Sequence, residues 1–566
     1  MIRSNKAQAL IAAIVIMLIL ALFGVIGLSL LGTQIGHSAT GLAESTQAFY
    51  LANAGLEWYM QQLANDNNWS NQVNPPVQSL GPGTFEVTLS NKTVNKINVV
   101  STGRVMGPDG RYRESFIQAT VRRSLTKYAV FWNELGPGAQ LKFINSGGAT
   151  HVIGDMWSRG TTIIDAHSDV TNGIIYYAQG EKVAGSGSYT AREVKPPFPQ
   201  IPLLDTSYYD KLMDDWNSRI DAADINISPG SGDIDLTSNV DWSGKDIAAR
   251  DINTNGFNIT GTDFKVTCRD FNIGKASEID SHAAGFTINC SRNFNMTEDS
   301  QINANKYRIN CSNNFNMVDS SVIKSRDFSI YIDDNFDTDG KVLVDGNGYI
   351  VCSNAGQIRL HSDASDSGIF TAIASEGNIY FLSGNDMTVN SDKDDTAVVL
   401  KGACFLYSRN RSGTTNSITI RNKNTKIDGA TIIAERRIIV NSGANITNGI
   451  LYVDYASSDT NNYLQITDNP TQVTGSLISR GRNDSSLRIN KEASITGLVY
   501  QHNDRSTRGR AEVDGDSTIT GALMVRQFDG DSFGPATVTY NIDSIPLPNG
   551  FQAEEVTIES GSWDGL

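Results

Sequence analysis

From Ala9 to Leu31 almost every position is apolar, and no charged side chain occurs between Lys6 and Glu44. As a helix rising ~1.5 Å per residue this stretch is ~34 Å long, enough to cross a hydrocarbon layer of about 30 Å. It is too long for the apolar part of a cleavable secretory signal. Arg3 and Lys6 precede it, which predicts a cytoplasmic N-terminus and an exported remainder. The pattern then turns amphipathic, with Phe49, Ala52, Leu56, Tyr59 and Leu63 recurring at three- and four-residue steps, so the helix is predicted to continue over 8–66. Asn65-Asp66-Asn67-Asn68 ends it, and Pro75-Pro76 forbids its return. Gly24 and Gly27 weaken it locally by roughly 1 kcal/mol each relative to Ala, as points of stretching or of close helix packing.

The period changes to alternation over 83–123, in Thr84 to Leu89, Lys96 to Ser101 and Tyr112 to Val121. A small antiparallel sheet is predicted there, with the preceding helix as the surface on which its apolar face rests. Beyond about Tyr128 a longer period appears. Phe264, Phe286, Tyr307, Phe328 and Tyr349 stand 22, 21, 21 and 21 apart, Val266, Ile288, Ile309, Ile330 and Val351 follow two positions later, and Phe271, Phe294, Phe315 and Phe336 form a third series. Units this short cannot bury their own apolar face, whereas stacking them at ~4.8 Å buries a continuous core. The fold predicted is a large right-handed parallel β-helix with the first series as its core ladder. Coils are expected over 128–194 and 223–549, separated by a Pro-rich loop and helix at 195–222 packed on the solenoid, with a tail at 550–566. Glycines in Val473-Thr474-Gly475, Ile495-Thr496-Gly497 and Ile519-Thr520-Gly521 mark a sharp corner.

Composition narrows the function. The 566 residues hold 46 Lys+Arg against 61 Asp+Glu, a net charge of −15, which argues against a nucleic-acid partner. Five cysteines cannot staple so long a chain.

A short basic leader, an apolar helix from residue 8 and an amphipathic extension before a globular head resemble type IV pilin-like proteins, and in detail the PilX-like minor pilins. The resemblance is carried by Ala7-Gln8-Ala9-Leu10-Ile11, where the family usually has Gly before the cut, and by Ala48-Phe49-Tyr50-Leu51-Ala52-Asn53-Ala54-Gly55-Leu56-Glu57, where members commonly have Glu in place of Asn53. Val99-Val100-Ser101-Thr102-Gly103-Arg104-Val105 and the Pro-rich strip before Tyr208-Tyr209 are also similar. The resemblance implies an inner-membrane precursor, held by lipid before assembly, that a prepilin peptidase cuts between Ala7 and Gln8. Major and minor pilins or pseudopilins are the implied partners, with Phe49, Ala52 and Leu56 packing against other subunits. Major pilins carry Glu at the fifth mature position; Ala12 stands here, which implies a place at or near the tip of an extracellular pilus. There the solenoid would meet a surface glycan or host ligand.

No catalytic, cofactor or metal site stands out. Cys268, Cys290 and Cys311 are spaced as a stacked inward ladder, and Asn272, Asn295 and Asn316 as a turn ladder. Parallel β-helices include polysaccharide-cleaving enzymes, for which Asp333-Asp334, Asp394-Asp395 and His361-Ser362-Asp363-Ala364-Ser365-Asp366 are the acidic candidates; such chemistry needs carboxyls converging from separate coils. Asp337-Thr338-Asp339-Gly340 and Asp345-Gly346-Asn347-Gly348 faintly resemble calcium loops but lack a distal Glu, and Asp and Gly dominate turns in any case. A surface adhesin anchored without a pilus and a polysaccharide-acting enzyme are the alternatives to the pilin reading.

Overall fold

The computed structural model describes residues 17–18, 20–23, 25, 41–63 and 72–565, apart from 93–95, 109, 135–138, 144–147, 284, 319, 363–368, 392–396, 410–416, 455–461, 482–485, 503–508, 529–531, 546–547, 552–554 and 559–563. The chain divides into two compact units, Met1–Ser124 with Gln552–Leu566, and Leu125–Phe551.

In the first unit, helix α1 (residues 41–63) lies on an antiparallel sheet of Gln78–Leu80, Gly83–Ser90, Lys96–Met106 and Tyr112–Ser124. Ala52, Leu56, Tyr59 and Leu63 form one buried cluster with Phe85, Val87, Ile97, Val99 and Ile117. The approach is close: a Cβ at Gly103 would stand 2.1 Å from the Ala48 carbonyl oxygen. Ala52 and Leu56, expected to face other subunits, are thus covered by the chain's own sheet, and Phe49 is half-buried against the same cluster. The expected tail is also different, since Glu555–Ile558 and Asp564–Gly565 pair antiparallel with Tyr112–Ser124 and complete a six-stranded sheet. Ala7, Gln8, Ala12, Gly24 and Gly27, with most of the apolar stretch and the predicted helix end, lie outside the described residues. The helix predicted over 8–66 is therefore not seen as one element, and among the described residues no helix is long and apolar enough to cross a membrane.

The second unit is a parallel β-solenoid of about 16 turns. Each turn has three faces, shown by Asp270–Ile273 (face A), Glu278–Ser281 (face B) and Phe286–Cys290 (face C). The alternating pattern points one set of side chains into a single core running from Val130 to Val538.

The order of the turns departs from the order of the chain. The coils over 128–194 stack beyond the last coil, not before the first. Val130–Trp132 pairs with Leu523 to Val525, His151–Ile153 with Thr537 to Thr539, and Phe143 with Phe533. From Val194 the chain must then return along the whole solenoid before the turns beginning at Ile234–Asp235 can form. It returns as a strap on face C. Phe198 packs on Trp157, the Pro202 carbonyl accepts from the Tyr500 hydroxyl at 2.8 Å, and helix α2 (Ser207–Asp221) crosses the middle coils. The Ile225 carbonyl accepts from Ser312 at 2.8 Å near the other end. The Pro-rich loop and helix expected on the solenoid are therefore there, and α2 buries Tyr209, Met213, Trp216 and Ile220.

Candidate functional site

The predicted core ladder holds for four of its five rings. Phe264, Phe286, Tyr307 and Phe328 stack at 4.9, 5.1 and 5.4 Å with planes within 7° of parallel. Tyr349 is outside it. The next coil is one residue shorter, so Phe328 stands opposite Gly348, and its ring fills the space that a side chain there would take. A one-residue slip turns each later side chain to the other face. Tyr349 therefore points outward, stacks on Tyr380 at 4.4 Å and lies 4.0 Å beneath the Arg219 guanidinium of α2. Val351 shifts in the same way, opposite Tyr331, while Ile350 continues the inward series from Ile330.

The other two ladders form as spaced. Cys268, Cys290 and Cys311 stack in register, unbonded and buried, with the first two sulfurs 3.7 Å apart. Asn316 donates to Asn295, Asn295 to Asn272 and Asn272 to Asn253 at 2.7 to 2.8 Å, and the run ends on the Asp235 carboxylate. Amides aligned one way polarise one another, which ties coil to coil along face A.

The enzyme and calcium candidates do not converge. Asp363, Asp366, Asp394 and Asp395 lie outside the described residues. His361 Nε2 lies 2.6 Å from Asp337, on whose other oxygen Arg359 bears at 3.8 Å, but the neighbouring Ser362 side chain is inside the core. Asp337 stands on face A, while Asp345 sits at the corner before Asn347–Cys352 and accepts from Ser375 at 2.5 Å. Among the described residues no group of three or more His, Cys, Asp or Glu is arranged to hold a metal ion.

Several charged groups are buried under and beside the strap. On face C an outward series from Trp157 through Phe131, Met524, Tyr500 and Tyr452 to Tyr407 is almost wholly buried. At the corner after it, successive coils place Arg480, Asp454, Glu435 and Arg409, joined by backbone hydrogen bonds from each coil to the next. Glu435 accepts from the Tyr407 hydroxyl at 2.5 Å and from Asn217 of α2 at 3.2 Å. Asp454 accepts from the Tyr452 hydroxyl at 2.9 Å and from Arg480 at 3.1 Å. Arg409 reaches Asp221, the last residue of α2, at 2.7 Å. Burial pushes the Tyr452 and Tyr209 hydroxyls well above their ordinary range, so both stay protonated, and the Tyr452 hydroxyl is the one that donates, to Asp454. Each buried carboxylate is met by hydroxyl, amide or guanidinium donors of the same chain, an arrangement that clamps the strap.

Sequence reasoning missed this clamp, though a signal was present. Leu451-Tyr452-Val453, Leu498-Val499-Tyr500 and Leu523-Met524-Val525 are continuous apolar runs, which in a parallel sheet mean cover on both faces.

No family model, no curated protein and no solved structure matches the chain.

Proposed function

We propose that this chain is a minor-pilin-like component of a type IV pilus or related pseudopilus. It enters the inner membrane through the apolar segment of residues 9–31, is cut by a prepilin peptidase between Ala7 and Gln8, and carries the solenoid outward at or near the fibre tip for recognition. The observation that carries the reading is the sequence run from Ala48 to Glu57 on a helix laid against an antiparallel meander, the plan of a pilin-like head. Met17, Leu18, Leu20, Leu22 and Phe23 support it, being helical and at least 62% exposed within the chain, as suits side chains that face lipid or other apolar helices. The helix stripe that rests on the chain's own sheet is not available for neighbours, so assembly contacts fall to the apolar segment before it and to exposed residues such as Leu42 and Tyr50.

Sheared surface filaments, purified and sequenced from the N-terminus, test the reading. The chain should begin at Gln8, and a strain without the peptidase should hold a precursor seven residues longer. A chain that begins at Met1 and stays in the envelope when fibres are removed overturns it in favour of a plain anchored adhesin.

A further inference from the structure

Face B carries a surface unlike the rest of this acidic protein. Over five consecutive coils its ten outward positions hold four lysines and four aliphatic side chains, with one threonine and one aspartate. Val322 and Lys324 are followed by Lys341 and Leu343, then Thr371 and Ile373, then Val399 and Lys401, then Lys426 and Asp428, all in register. Lys324, Lys341, Lys401 and Lys426 are exposed, and none makes an ion pair among the described residues. The one acid within the strip is already engaged, because Asp428 accepts from the Thr447 hydroxyl at 2.9 Å and from the Asn448 amide at 3.0 Å.

At the fourth and fifth coils the strip deepens. The strand register shifts between Ile373 and Asn378 and between Ile446 and Gly449. A groove of about 200 Å³ opens there, lined by Val399, Lys401, Lys426, Asp428, Asn445 and Thr447.

We propose that this strip binds an extended anionic polysaccharide, of uronate or sulfated type, along the solenoid axis. The lysines occupy the first, second, fourth and fifth coils, a span of about 19 Å at the strand spacing. Charge repeated over that length fits a polymer with an anion on successive units better than one small anion. Unpaired cations on a chain of net charge −15 supply the complementarity. The aliphatic positions between them offer flat patches to the C–H faces of sugar rings. Among the described residues these outward positions hold no aromatic ring, so bases of a single-stranded nucleic acid would have nothing to stack on. The inference rests on the recognition role proposed for the solenoid and not on pilus assembly.

The test uses the purified full chain in detergent and a fluorescein-labelled uronate octasaccharide, read by anisotropy. Binding should weaken with added salt, and neutral dextran should not compete. The double variants Lys324→Glu/Lys341→Glu and Lys401→Glu/Lys426→Glu should each lose at least tenfold in affinity, while Lys306→Glu on another face changes it less than twofold. Circular dichroism melts of all variants should match the parent, since these side chains are exposed. Affinity unchanged by both double variants, equal competition by dextran, or tighter binding to oligo-dT or to anionic phospholipid vesicles overturns the proposal. An uncut N-terminus would sink the pilin reading and leave this result standing.

Discussion

The ring of Tyr209 lies on that of Tyr452 at 4.2 Å with planes 3° apart, which joins the strap helix to the middle of the solenoid. Trp216, two turns further along α2, packs at 5.3 to 6.3 Å against Tyr407, Phe405 and Tyr380. Truncating a buried aromatic of this size costs about 3–5 kcal/mol. Trp216→Ala should therefore raise hydrogen exchange in α2 and in Ala397–Ser408 while leaving the ladder from Phe264 to Phe328 protected. Uniform loss of protection across the solenoid would show that the strap is part of one global unit instead.

At the seam, Phe143 meets Phe533 edge to face at 5.3 Å. In a solenoid each coil contacts only its neighbours, so Phe143→Ala should loosen Met156–Ser158 and Ser517–Val525 together, although they are far apart in the chain. Mass-spectrometric exchange on peptides from both segments reads this. Loosening on one side alone would contradict the pairing.

Gly475, Gly497 and Gly521 share a register with φ of 138°, 142° and 145°. A Cβ at Gly497 would stand 1.9 Å from the Gly475 carbonyl oxygen. Gly497→Ala is thus both sterically and conformationally strained and should cost more than 2 kcal/mol, seen as a lower midpoint in urea. A midpoint within error of the parent would refute the tight corner.

All five cysteines are buried, and burial raises the Cys404 thiol to about 12. The thiolate is the reactive form. At pH 8 an alkylating reagent should label none of them in the native chain and all five in denaturant. Fast native labelling of any one would show that its coil opens.

Burial first, and then the neighbouring Glu512, raises the Asp514 carboxyl above its ordinary range. A carboxyl with a raised folded pKa destabilises the fold above that pKa, and the penalty vanishes once pH falls below the unfolded value. Asp514→Asn should accordingly raise the melting temperature slightly near pH 7 and have no effect below about pH 4. An equal shift at both pH values would remove titration as the cause.

Periodicity alone was enough for the stacked parallel coils and for most of the residues that fill them; the three faces came from the structure. Phe271, Phe294, Phe315 and Phe336 stand in register as their spacing implies, because each inward position meets the same position one turn away. Local pattern also located the small sheet, α2 and the amphipathic stretch that forms α1, although the continuous helix over 8–66 is not seen. It could not foresee that Tyr349 leaves the ladder, since one missing residue in a corner is invisible until the strands pair. Nor could it foresee that Val130–Trp132 stacks on the coil of Ser517–Val525, that Glu555–Ile558 rejoins the first sheet, or that four lysines from separate coils share one face. A repeat specifies what a turn buries and leaves open which turn lies beside it, because every coil offers the same backbone edge. That choice rests on contacts made once, by Phe533, by the strap and by the side chains beneath it.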